Sequence, residues 1–317
     1  MTLDGPDPVA VPLTVSGVEL CSWNLPGSAG QRDRSPLLVM LHGMRDIARG
    51  LLPVAWPLSE RFDVRLFDLR GHGASDYTGT YSVPQYYYDI YVLLTKLREQ
   101  APGRPLYLFG HSLGGQLAAR CAGLFPELVD ALVLAEGLGP PRPQWPQEQA
   151  DEDAQISFLR EQLLARFQMP AATRPLPDRA FAAQRLLINN PRLDPEQARL
   201  TARYATREAP DGTLRWAFDA RVSTVFVGFD ERDSARLWRR VRCPVLTITG
   251  DLADEYWRSV HPLADYTGVF QPGEYETRIS VFRTVRHLRF EGSGHMVHFD
   301  EPERLAAETG GFLASLT

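Results

Sequence analysis

Residues 105–125 read PLYLFGHSLGGQLAARCAGLF. The run Leu106 to Phe109 is apolar on both faces, as a central parallel strand must be, and from Leu113 small and apolar residues run on as a helix toward Phe125. Between the two lies Gly110-His111-Ser112-Leu113-Gly114. A strand that turns this sharply into a helix leaves no room for side chains at the positions flanking the serine. Glycine is demanded at both, and the serine hydroxyl is held up above the sheet edge. Five letters of this kind occur by chance; the strand before and the helix after give them weight.

Further apolar runs stand at Leu37 to Leu41, Val64 to Asp68, Leu132 to Ala135, Pro244 to Thr249 and Val285 to Phe290. Helical stretches separate them, with Tyr86 to Arg98 opened by Ser82 and Pro84, and Glu301 to Leu316 closing the chain. This alternation predicts a mostly parallel twisted sheet flanked by helices, an α/β fold. The opening LTVSGVELCSWN reads instead as a β-hairpin turning at Ser16 and Gly17. From Gly139 to Arg240 the character changes: prolines cluster in GPPRPQWP, and polar, arginine-bearing amphipathic segments follow without a buried strand. The expected organisation is one core domain from residues 1–139 and 241–317, interrupted by a helical cap (lid) insertion at 140–240.

Composition narrows the function. At 317 residues and 44% hydrophobic content the chain builds a substantial core without staples. A net charge of −5 and the lack of any Lys/Arg run argue against nucleic acid or a charged membrane surface as partners. No window reaches the roughly 18 apolar residues of a membrane span. The start MTLDGPDPVAVPLTVSG has neither a charged nor an apolar leader region, so a soluble, unexported protein is expected. Cys21, Cys121 and Cys243 are odd in number and far apart, which suggests neither a disulfide framework nor a zinc site and fits the cytoplasm.

Ser112 needs a base. Gly292-Ser293-Gly294-His295 follows the last strand and precedes the final helix, which places His295 on a loop facing the serine. An imidazole, with an unperturbed pKa of about 6.5, accepts and returns a proton near neutrality. His298 lies three residues on, but no HExxH and no carboxylate cluster accompanies it, so no metal and no cofactor are expected. Leu41-His42-Gly43-Met44 ends the first parallel strand. The backbone N–H groups of Met44 and Leu113 are the candidate oxyanion hole, the latter at a helix start where amides are unpaired. His42, Arg45, His111 and Trp145 are candidate substrate contacts, with local packing the alternative for His42 and a surface salt bridge for Arg45.

These motifs, together with DLRGHGASD at 68–76, resemble the α/β-hydrolase superfamily over nearly the whole chain. In that motif Gly71 and Gly73 shape a turn and Asp68 ends a strand. A dinucleotide-binding Rossmann domain is the rival fold, but GHGASD lacks the third glycine of GxGxxG and no P-loop is present.

The resemblance implies a third member, a carboxylate that orients the imidazole, and two positions offer one. The family's usual station is the loop Gly250-Asp251-Leu252-Ala253-Asp254-Glu255. Its commonest spacing falls on Ala253, so Asp254 fits only with one extra residue, and Asp251 is too close to the strand. The alternative is Glu136, which ends the strand ALVLA and points to the carboxyl edge of the sheet, where ligands bind in such folds. Some haloalkane dehalogenases of the superfamily carry their acid at this station. Glu136 is therefore preferred and Asp254 is the alternative.

Dehalogenases and epoxide hydrolases of the superfamily use aspartate at the turn, so Ser112 argues against both reactions. Leu113 also stands where such dehalogenases place a halide-holding tryptophan. Serine with an oxyanion hole suits attack on a carbonyl, and the expected activity is that of a serine esterase acting on a small, largely apolar acyl substrate. Thioesters, lactones, amides and carbon–carbon bonds are open to the same machinery, and a ligand receptor with little turnover is the reading from another class. In the insertion, Trp145, Phe158, Phe167, Phe181, Tyr204, Trp216 and Phe218 either wall a pocket or form the insertion's own core.

Overall fold

The computed structural model describes residues 5–25, 34–141, 152–170, 172–227, 232–260 and 266–316. Strands β1 (Val9–Val15) and β2 (Val18–Asn24) form the predicted hairpin, with Ser16 and Gly17 both at positive φ, 50° and 79°. That pair of angles matches the right-handed twist of two strands joined by a two-residue turn. The parallel strands are β3 (Leu37–Leu41), β4 (Asp63–Asp68), β5 (Leu106–His111), β6 (Ala131–Ala135), β9 (Val245–Gly250) and β10 (Val285–Phe290). Short strands β7 (Thr206–Glu208) and β8 (Leu214–Trp216) pair separately.

The main sheet runs β1-β2-β4-β3-β5-β6-β9-β10. β1 and β2, and β2 and β4, are antiparallel; every pair from β4 to β10 is parallel. All five residues of β3 and of β6 are buried, the two-sided burial expected of strands covered by helices. The main-domain helices are α1 (Leu52–Leu58), α2 (Val83–Gln100), α3 (Leu113–Leu124), α8 (Asp254–Val260), α9 (Glu274–Ile279), α10 (Val297–Asp300) and α11 (Pro302–Ala314). α2 buries Tyr86, Ile90, Leu93, Leu94 and Leu97, one stripe at helical spacing, and each such side chain contributes about 1.5–3 kcal/mol. α3 is buried from Leu113 to Gly123, since it packs between the sheet, α2 and α7 (Arg232–Trp238).

Between β6 and β9 lie α4 (Glu152–Gln168), α5 (Arg179–Asn189), α6 (Pro195–Ala205), the β7–β8 hairpin and α7. The expectation of helices alone there needs correction for that hairpin. Its three-residue strands are too short to show an alternating pattern. Tyr204 and Trp216 pack against Ile47, Ala205 and Ala217, which makes them core rather than pocket wall. Phe218 also packs on the main core, whereas Phe181 is exposed. Trp145 and the side chains of Phe158 and Phe167 lie outside the described residues.

Asp68 shows why DLRGHGASD is structural. Its carboxylate accepts the N–H groups of Ala48 at 2.8 Å and Ala74 at 3.0 Å and the Trp23 indole at 2.7 Å, which ties β2 and two further segments to the end of β4. Nearby, Arg70 and Asp89 form a buried pair at 2.5 Å.

Candidate active site

The carboxyl ends of β3, β5, β6, β9 and β10 converge on one place, as the parallel register requires. Ser112 follows β5 with φ 50° and ψ −117°. The turn is possible because Gly110 and Gly114 lack side chains: a Cβ on Gly110 would sit 2.4 Å from the Gly114 carbonyl oxygen, and one on Gly114 2.4 Å from that of Leu41. Among the described residues four non-glycines have positive φ, and three of them are Arg45, Ser112 and Glu136, each at a strand end facing this place. Such backbones cost on the order of 1–3 kcal/mol each and persist only where surrounding contacts impose them.

His295 Nε2 lies 2.9 Å from Ser112 Oγ, and its Nδ1 lies 3.1 Å from Glu136 Oε2. Glu136 is fixed in turn: its Oε1 accepts the Gly250 N–H at 2.8 Å, and its own N–H donates to Ile248 at 2.8 Å. Serine, imidazole and carboxylate are thus in line, and all three are buried. Asp254 is not part of this line. It begins α8 and pairs with Arg258 at 3.0 Å, while Asp251 accepts the Gly292 N–H at 2.8 Å. Of the two acids offered by the sequence, the structure brings Glu136 to His295.

The N–H groups of Met44 and Leu113 have no hydrogen-bond acceptor among the described residues, whereas the next amide on each side is used: Arg45 N–H donates to His72 and Gly114 N–H to the His42 carbonyl. These are the two amides the sequence offers as an oxyanion hole, and neither is committed elsewhere among the described residues. The Arg45 guanidinium makes no salt bridge among the described residues; it hydrogen-bonds Ser223 Oγ at 2.6 and 3.0 Å.

The expectation that His111 touches substrate needs correction, and for His42 the alternative of local packing holds. His42 is fully buried, its Nδ1 donating to the Gly43 carbonyl at 2.7 Å and its Nε2 accepting the Leu69 N–H at 3.0 Å. It shapes the loop that presents Met44. His72 accepts the Arg45 N–H at 3.1 Å, and burial, then His42, pushes its pKa down to about 3. His111 Nε2 lies 2.9 Å from the His295 carbonyl oxygen. A carbonyl only accepts, so Nε2 carries the proton. Burial, reinforced by His298 and His295, holds the His111 pKa well below the usual range.

Sequence reasoning missed two groups here. Tyr256 stacks on the His295 ring, 4.2 Å between centroids and 9° from parallel, and Trp257 meets it edge-on at 4.5 Å. Nothing in GDLADEYW marks those aromatics as neighbours of a residue 39 positions away. His298 also has a distant partner: Asp46 Oδ2 is 3.3 Å from its Nε2, and His111 completes a buried group of three.

The sheet order, the serine turn and the in-line histidine and glutamate define an α/β hydrolase. A profile of the alpha/beta hydrolase family matches residues 38–308, and the chain belongs to that family. Among curated proteins it is similar to an uncharacterized protein of Mycobacterium tuberculosis, 37% identical over 105 residues, a match that spans 33% of this chain and only 30% of that protein. It is also similar to the 2-(acetamidomethylene)succinate hydrolase of Mesorhizobium japonicum, 35% identical over 107 residues, 33% of this chain and 37% of that one. Of solved structures, the thioesterase domain from the curacin biosynthetic pathway superposes with a TM-score of 0.76 at 21% identity, covering 98% of this chain and all of that one, a likeness of fold. No helix among the described residues is long and apolar enough to cross a membrane.

Proposed function

We propose that the protein is a serine hydrolase that cleaves a carboxylic ester or a related acyl compound through an acyl-enzyme on Ser112. The observation that carries this reading is the in-line contact of Ser112 Oγ, His295 and Glu136, with two amides uncommitted among the described residues. His295 Nε2 takes the serine proton as Oγ attacks the acyl carbon. The Met44 and Leu113 N–H groups receive the negative charge that forms on the carbonyl oxygen. His295 then returns the proton to the departing alcohol or thiol, and a water activated by the same nitrogen cleaves the acyl-enzyme. Glu136 keeps the proton on Nδ1 and stabilises the imidazolium, and the Gly250 amide holds Glu136 in place. Tyr256 and Trp257 wall the imidazole with apolar surface, which suits a largely apolar acyl group.

Residues 140–240 serve in this reading as a cap that selects the substrate, and the cytoplasm is its place of action. A second reading keeps the same steps on a different acyl bond, a thioester or an amide-like bond, as the names of the similar thioesterase domain and of the 2-(acetamidomethylene)succinate hydrolase suggest.

The test is hydrolysis of p-nitrophenyl esters from acetate to dodecanoate by wild type and Ser112→Ala, alongside labelling by a fluorophosphonate. Turnover and labelling that both vanish in the variant support the proposal, and the chain-length optimum sizes the acyl pocket. Folded wild type that neither turns over nor takes the label refutes it and favours a receptor.

A further inference from the structure

Asp46, His111 and His298 are 8%, 1% and 0% exposed, and one ligand atom from each lies within 4.8 Å of the others. Four side-chain atoms of this group have no hydrogen-bond partner among the described residues: Asp46 Oδ2, His111 Nδ1 and both nitrogens of His298. Buried polar atoms are normally satisfied, so four together point to something the three side chains hold in common. A proton does not suffice. Because His111 Nε2 donates to the His295 carbonyl, its Nδ1 is a bare lone pair. A proton shared between His298 and Asp46 leaves that lone pair without a donor.

We propose that Asp46, His111 and His298 form a site for a divalent ion of the zinc class, one that takes two imidazole nitrogens and a carboxylate oxygen. The donor set suits borderline ions such as Zn²⁺ and Co²⁺. At bond lengths of about 2.1 Å a tetrahedral ion needs ligand atoms about 3.4 Å apart. Asp46 and His298 already stand 3.3 Å apart. The widest pair in the group closes by about 1.4 Å, within the reach of side-chain rotation. Two of the three ligands have the outer contacts that metal ligands use to fix their orientation. The ring of His111 is held by the His295 carbonyl, and Asp46 Oδ1 accepts the Ile47 N–H at 2.8 Å.

The position gives the ion a purpose. Asp46 lies two residues after Met44, His111 immediately precedes Ser112, and His298 lies three residues after His295. The three stretches of chain that carry the candidate oxyanion amide, nucleophile and base therefore meet at this one point. An ion here locks their mutual register without touching substrate.

The experiment needs no turnover. Wild type is loaded with Zn²⁺ or Co²⁺ by two routes, incubation with excess ion followed by gel filtration, and expression in supplemented medium, because the group is enclosed. Bound metal is measured by plasma mass spectrometry, and the Co²⁺ form by its visible spectrum. The expected result is about one ion per chain, a d–d spectrum free of thiolate charge transfer, and a tenfold or greater loss of affinity in Asp46→Asn and in His298→Gln. His287→Gln, whose ring lies against Thr249 away from the group, keeps full binding. Less than a tenth of an equivalent by both routes overturns the proposal and leaves a buried water as the common partner. Equal stoichiometry and spectra in Asp46→Asn and His298→Gln also overturn it. The wild-type spectrum decides the matter if either variant fails to fold.

Discussion

Replacing Glu136 by glutamine tests the proton relay with almost no change in shape. In the wild type Oε1 accepts the Gly250 N–H and Oε2 faces His295 Nδ1. A glutamine has one acceptor, and the Gly250 amide claims it. Its NH₂ group then faces Nδ1, where two donors cannot meet. The imidazole must shift its proton to Nε2, and that N–H points at Ser112 Oγ, 2.9 Å away, unable to accept the serine proton. The loss combines a wrong tautomer with the missing charge that stabilises imidazolium. By analogy with the same change in a serine protease triad it amounts to about 10⁴ in kcat, or roughly 5 kcal/mol. The assay is kcat on the best p-nitrophenyl ester together with the rate of fluorophosphonate labelling, with the melting temperature as a control on folding. Asp254→Asn, which loses only the pair with Arg258, stays within about threefold of wild type. A Glu136→Gln enzyme within tenfold of wild type, or an Asp254→Asn enzyme as weak as that expected for Glu136→Gln, refutes the reasoning.

Three shorter tests follow from the same structure. Tyr256→Ala removes the ring stacked on His295 and lowers kcat/KM about three- to tenfold, while Tyr256→Phe keeps the ring and the rate; equal rates in all three proteins count against a role for the stack. Gly114→Ala places a Cβ 2.4 Å from the Leu41 carbonyl oxygen, forces α3 away from β3, and destabilises the fold by about 2 kcal/mol or more in a urea melt. An unchanged midpoint shows that the elbow is not sterically closed. His72, held neutral to about pH 3 by burial, makes stability depend on pH. The unfolded chain binds a proton there below about pH 6.5 and the folded chain does not, so stability is lost as the pH falls. From pH 7 to 5 that costs about 2 kcal/mol. His72→Gln should flatten this part of the profile, and an equal slope in the variant would place the proton uptake elsewhere.

The parts of this site that were legible in the sequence are those set by local sterics. Gly110 and Gly114 announce a crowded turn, and apolar runs as short as Leu37 to Leu41 announce strands covered on both faces. Glu136 was legible because a carboxylate at the end of a buried strand must face the sheet edge. What stayed hidden is long-range assembly. A histidine letter does not tell how deeply its ring is buried or what its nitrogens meet, which is why His42 and His111 stand among the candidate substrate contacts. Asp46, His111 and His298 are separated by 65 and 187 positions, and only the tertiary fold makes them neighbours. Tyr256 and Trp257 reach His295 through the course of the chain after β9, which no local pattern encodes.

The station of Glu136 has a consequence for how such a protein can be altered. In the proposed mechanism the relay is completed from the end of β6, and the segment from Asp251 to Val260 then has no proton to manage. It supplies the rings over His295, and through Asp251, which accepts the Gly292 N–H at 2.8 Å, it also steadies the loop that carries the base. Mutational libraries that keep Asp251 and vary the rest of that segment can reshape what fits above the imidazole without altering Ser112, His295 or Glu136.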